Sequence, residues 1–162
     1  MKIGLLIVDM QEHIVRNRVE QSKIDRACEY INHVADALRS QNHVVVQIQD
    51  VEGMDEAKPE EYRCIPEIDV KHGDLAITKQ NSNAFWQTEL EQVLQSQNVE
   101  LVIISGFAVE ECVTFTYHGA EERGFKPVLL QNGILSAHPD AITSALRDRN
   151  VVSYPVIDYL VK

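Results

Sequence analysis

Short, nearly uninterrupted apolar runs recur along this chain, and each is followed by polar or amphipathic sequence. Ile3-Gly4-Leu5-Leu6-Ile7-Val8, His43 to Ile48, 74–78, 100–105, 127–131 and 151–154 read as strands. The run His43 to Ile48 is continuous enough in β-branched residues to be buried on both faces. Between them, Ile24, Ala27, Cys28, Ile31, Val34, Ala35 and Leu38 keep the spacing of three or four that lines one helix face, and Ser22 with Asp25 predicts a capping box at its start. Further helices are expected over 86–97, from about 110 to Arg123 with Gly124 closing it, and after Pro139. Strands alternating with helices require right-handed crossovers, so the expected fold is α/β: a three-layer α-β-α sandwich on a six-stranded parallel sheet, Rossmann-like, in one domain over 1–162.

In such a fold, ligands bind beyond the carboxyl ends of the strands, where strand order reverses. The strand ends deliver Asp9 after Val8, Asp50 after the second strand, Lys79 after Thr78, and the turn from Gly106 to Cys112 after the fourth. The stretch 50–72 has two prolines, five glutamates and little periodicity, and reads as a surface excursion of the length used for lids and binding loops.

Charge narrows the partners. The net charge of −10, with no compensating block of Lys or Arg, disfavours nucleic acid and anionic membrane surfaces and leaves small molecules or proteins. Cys28, Cys64 and Cys112 are far apart with no CxxC pair, which argues against structural zinc and a disulfide framework and fits a reducing compartment. No stretch approaches a membrane span, and the apolar N-terminal run stops at Asp9, so a cytoplasmic location is expected.

Cys112 alone supports two readings, a small core hydrophobe or a nucleophile. At a helix N-terminus the unpaired amides favour thiolate, and an activated thiol is expected to titrate well below its free value of about 8.5. Asp9 is either a strand terminator accepting backbone amides or a proton acceptor; Lys79 is either a solvated strand-end lysine or the cation between the two. Together the three make an acid–base–thiol set. Glu110 and Glu111 would oppose a thiolate if they pointed inward, and they are expected to face solvent.

Four motifs in order carry a resemblance over nearly the whole chain: Leu5 to Gln11 (LLIVDMQ), Val44 to Asp50 (VVVQIQD), Gly73 to Phe85 with Thr88 to Leu94, and Leu101 to Gly133. The chain resembles the isochorismatase-like cysteine hydrolases, which include nicotinamidases, N-carbamoylsarcosine amidase and isochorismatase. The resemblance implies a catalytic triad of Asp9, Lys79 and Cys112, and a non-proline cis peptide at Phe107-Ala108 that aims the Ala108 and Cys112 amides into an oxyanion hole. It also implies a substrate pocket lined by Phe85 and Phe107, the alternative for Phe85 being a core aromatic.

Departures from the family pattern matter equally. The DxH motif that binds metal in nicotinamidases reads Asp50-Val51-Glu52 here, and His72 reads as a loop residue, so neither a metal nor another cofactor is expected. Residues 109–111 and Gln131-Asn132, where an Asp is usual after the fifth strand, also differ from the pattern.

The expected activity is metal-independent hydrolysis of a C–N bond in a small amide or ureido-type substrate through a thioester. The alternative is an inactive family member serving as a binding or assembly subunit. A flavodoxin-like nucleotide binder is the weaker third reading, because Asp9-Met10-Gln11 stands where a Gly-rich phosphate loop would follow strand one. The resemblance also implies a homo-oligomer, a dimer or larger, with Phe115 and Tyr117 as candidate interface residues.

Overall fold

A computed structural model describes residues 1–162. The apolar runs form six parallel strands: β1 (Lys2–Val8), β2 (Val44–Asp50), β3 (Leu75–Lys79), β4 (Val99–Phe107), β5 (Lys126–Leu135) and β6 (Val151–Val152). Their order is β3-β2-β1-β4-β5-β6, so the chain winds outward from β1 in one direction and from β4 in the other. The reversal between β1 and β4 creates a crevice at their carboxyl ends. Gly106 sits inside β4, opposite Val8, rather than in the turn expected from sequence. At its φ of 106° a Cβ would meet the Val8 carbonyl oxygen at 2.1 Å, so only glycine lets the two strands close there.

The sheet is covered on both faces. On one side lies α2 (Gln21–Ser40), whose seven spaced apolar residues are all buried, together with α1 (Glu12–Val15) and α6 (Tyr154–Leu160). On the other side lie α3 (Leu90–Ser96), α4 (Thr114–Glu122) and α5 (Pro139–Asp148), which contribute Leu90, Leu94, Tyr117, Ala120 and Ala145 to the second core.

Several boundaries differ from expectation for local reasons. α2 starts at Gln21, before Ser22, without a side-chain cap, so the capping box is not used. α3 is shorter than 86–97 because residues 80–89 run through turns. β5 continues past 131: Ile104 pairs with Leu129 and Gly106 with Ile134, so Gln131 and Asn132 lie in a bulge within the strand, not after it. The short α1 and the C-terminal α6 arise where no periodicity announced them, since each buries a single residue, Val15 or Ile157. Gly124, at φ 82°, follows the end of α4 as expected.

The excursion between β2 and β3 is tied down over its second half. Gln11 pairs with Cys64, Ile65 donates its N–H to the Met10 carbonyl at 2.9 Å, and Ile65 and Ile68 enter the α2-side core. Arg16 holds Glu67, and Asn32 accepts the Asp69 amide while donating to the Glu67 carbonyl. No helix is long and apolar enough to cross a membrane.

Candidate active site

Each member of the expected set arrives on a strand end. Asp9 follows β1 with a φ of 52°, a left-handed conformation uncommon outside glycine, and its N–H donates to the Ile48 carbonyl at 3.1 Å. Lys79 ends β3. Cys112 lies in a wide turn, Val109–Val113, that links β4 to α4 and contains a non-helical residue, Glu111. The expected regular helix from 110 therefore begins only at Thr114.

The three side chains meet. Lys79 Nζ lies 3.0 Å from Asp9 Oδ2 and 3.4 Å from Cys112 Sγ, with the Lys79 side chain wholly buried and that of Asp9 2% exposed. A fourth group, not included in the expected triad, completes the cluster: Asp50 Oδ2 sits 2.8 Å from the same ammonium. Its signal in the sequence was its position alone, one more acid at a strand end. Asp9 Oδ1 is buried without any hydrogen-bond partner.

Burial governs the protonation of this group. It pushes the Asp9 carboxyl above the ordinary carboxylate value, with the Lys79 charge pulling back, and pushes the Cys112 thiol up to about 12, with the Asp9 charge acting in the same direction. The expectation of a resting thiol well below its free value is therefore corrected: desolvation and an adjacent carboxylate outweigh the Lys79 charge. Lys79 is held above the usual lysine range because the charges of Asp9 and Cys112 and the bond to Asp50 outweigh desolvation. Glu110 and Glu111 are exposed, and Glu110 accepts a hydrogen bond from the Ser136 hydroxyl at 2.9 Å.

The Phe107–Ala108 peptide is cis. The Ala108 carbonyl accepts the N–H groups of Glu111 at 3.0 Å and Val113 at 3.1 Å, which closes the turn around Cys112. Phe107 is buried in the α2-side core with the Arg18 guanidinium over its ring. Phe85 is not brought to the site. It is 3% exposed, stacks on Phe125 and lies under Arg123 at the end of α4 opposite Cys112, where the packing of a large apolar ring decides its place. Tyr117 is likewise buried, its hydroxyl accepting the Asn150 N–H, so it offers no interface surface.

A divalent cation does not fit the donor set. Asp9, Asp50 and Cys112 bring ligand atoms within 4.8 Å of one another, but the Lys79 ammonium lies among them, at 3.0 Å from Asp9, 2.8 Å from Asp50 and 3.4 Å from Cys112. His72 is exposed in the loop before β3.

Comparison with known proteins agrees with this architecture. The chain is 23% identical to the uncharacterized isochorismatase family protein YwoC of Bacillus subtilis, over 90% of this chain and 84% of that one. It is 30% identical to N-carbamoylsarcosine amidase from Arthrobacter over 47% of this chain, which covers 29% of the relative. An isochorismatase family protein from Burkholderia thailandensis superposes with a TM-score of 0.85 at 19% identity, covering 99% of this chain and 95% of that one. The isochorismatase domain pattern matches residues 4–158, and the chain belongs to the isochorismatase family of hydrolases.

Proposed function

We propose that this protein is a cysteine hydrolase that cleaves a C–N bond of a small amide or ureido-type substrate without a metal. The observation that carries the reading is the contact of Lys79 with both Asp9 and Cys112 in a buried site. Asp9 takes the Cys112 proton as Sγ attacks the carbonyl carbon, and its raised affinity for protons suits it to that transfer. Desolvation and the Asp9 charge raise the Cys112 thiol, so the adjacent Asp9 carboxylate is the group placed to take its proton during attack. The amides of Ala108 and Cys112 receive the oxyanion, and Lys79 holds the charges in place. The amine leaves with the proton from Asp9. Water then attacks the thioester with Asp9 again as base. The name of the Arthrobacter relative, an amidase, supports C–N chemistry.

A binding or assembly subunit without turnover is the second reading, favoured by burial and the Asp9 charge raising the Cys112 thiol. A panel of amides, ureido acids and nicotinamide, assayed for ammonia release, separates the two. Wild type is expected to release ammonia and Cys112→Ala to release none; equal release by both overturns the hydrolase reading. Self-association is proposed on Phe115, which is 51% exposed on α4. Light scattering that shows only monomer removes it.

A further inference from the structure

We propose that Asp50, itself gripped by Gln11, is a positioning residue that fixes the Lys79 ammonium against Cys112. The proposal rests on the reading of Cys112 as nucleophile. An ammonium has three N–H donors and no acceptor. Lys79 donates to Asp50 Oδ2 at 2.8 Å and to Cys112 Sγ at 3.4 Å, and its ammonium lies 3.0 Å from Asp9 Oδ2 as an ion pair. With only Asp9 and Cys112 as partners, one donor of a wholly buried ammonium would be unpaired and the group free to rotate. Asp50 turns two contacts into a tripod.

The support behind Asp50 is continuous. It pairs in register with Lys79 across β2 and β3, so the sheet sets the separation of the two backbones. Gln11, 1% exposed, clamps the Asp50 backbone on both sides: its Nε2 donates to the Asp50 carbonyl at 3.0 Å, and its Oε1 accepts the Asp50 N–H at 2.8 Å. The same Nε2 donates to the Tyr62 carbonyl at 2.8 Å, which anchors the excursion after β2 to the clamp. Asp50 Oδ1 accepts the Glu52 N–H at 2.9 Å, so both carboxylate oxygens are engaged and the group cannot swing away.

A positioning role and a merely electrostatic one predict opposite signs. If Asp50 were only an extra negative charge, its neutralisation would favour the Cys112 thiolate and speed alkylation. If Asp50 holds Lys79 in place, neutralisation lets the ammonium drift and slows alkylation. The experiment is the rate of iodoacetamide modification of Cys112 in the full chain at fixed pH, with peptide mapping to separate Cys28 and Cys64.

Asp50→Asn is expected to slow Cys112 modification about tenfold, the thiolate change for one unit of pKa. Lys79→Met should slow it at least as much, and adding Asp50→Asn to Lys79→Met should cause no further slowing. Unchanged or faster modification in Asp50→Asn, or further slowing in the double variant, overturns the proposal. Asp50→Ser, which keeps an acceptor for the Glu52 amide, serves if Asp50→Asn does not fold. Failure of the hydrolase reading shows separately, as no ammonia release by wild type. With an active substrate, Asp50→Asn should lower kcat by up to about 100-fold, the cost of slight misplacement at a reacting centre, with KM unchanged.

Discussion

Two clusters in this protein have the same charge arithmetic, one cation between two carboxylates, and opposite consequences. Arg16 binds Glu67 through two nitrogens at 2.7 and 2.8 Å and Glu12 through two at 2.7 and 3.2 Å, with side chains 25%, 25% and 34% exposed. Its planar fork meets both carboxylates, and water reaches the rest, so the cluster is satisfied and staples the excursion to α1. Lys79 sits between Asp9 and Asp50 with no exposure, and its third contact is a thiol. There one carboxylate oxygen, Asp9 Oδ1, has no partner at all. A surface cation closes its hydrogen-bond account in a staple; the buried one leaves acceptor capacity and a nucleophile for a ligand.

This contrast can be broken at either cluster. Lys79→Met leaves the buried Asp9 and the half-buried Asp50 carboxylates uncompensated and should cost about 3–5 kcal/mol in urea unfolding, with turnover lost as well. A loss near that of a surface pair would mean the cluster is wetter than its burial indicates. Glu67→Gln should cost about 1 kcal/mol or less and leave turnover intact. A cost of several kcal/mol would show that the Arg16 staple carries the fold of the whole excursion.

Salt sharpens the same comparison by a smaller amount. Near 1 M salt the Debye length is about 3 Å, so the stability gap for Glu67→Gln should shrink while that for Lys79→Met persists. Equal shrinkage would put both cations in contact with solvent.

Acid should separate the clusters by sign. The hydrogen bonds from Arg16 hold Glu67 below its ordinary value of 4.5, so its contribution is present above that value and is lost as pH falls through the folded one. Burial raises Asp9 above 3.8; its protonated form favours the fold at low pH, and that advantage is lost as pH rises through the folded value. Urea midpoints of wild type and Glu67→Gln, measured from pH 3 to 7, should therefore converge on the acid side. A gap that widens in acid would contradict the sign for Glu67.

Much of the fold was legible because burial on both faces leaves a plain mark: β1, β2 and β4 lie where unbroken apolar sequence lies, and every residue assigned to the inner face of α2 is buried. The ends were less legible. Helix starts depend on caps, and α2 begins without one; α6 was missed because a single buried residue leaves no period to detect. In the site, Asp9, Lys79 and Cys112 were readable from strand ends and motif order, and the structure brings them together. Phe85 and Tyr117 were not readable, since whether an aromatic faces a crevice, a partner or the core depends on what packs over it. Here Phe125 with Arg123, and the Asn150 amide with Arg149, take those places.

The sequence by itself determined the parallel α/β architecture, through hydrophobic runs that only a doubly covered sheet buries, and the three side chains at its carboxyl edge. Only the tertiary structure decided that Asp50 joins them, because its role depends on the β2–β3 register and on the Gln11 clamp, contacts between residues far apart in the chain. It also decided the shift of the thiol. The direction in which Cys112 is shifted is set by desolvation and by the charges of Asp9 and Lys79 from the ends of two other strands, and no local pattern around residue 112 encodes those.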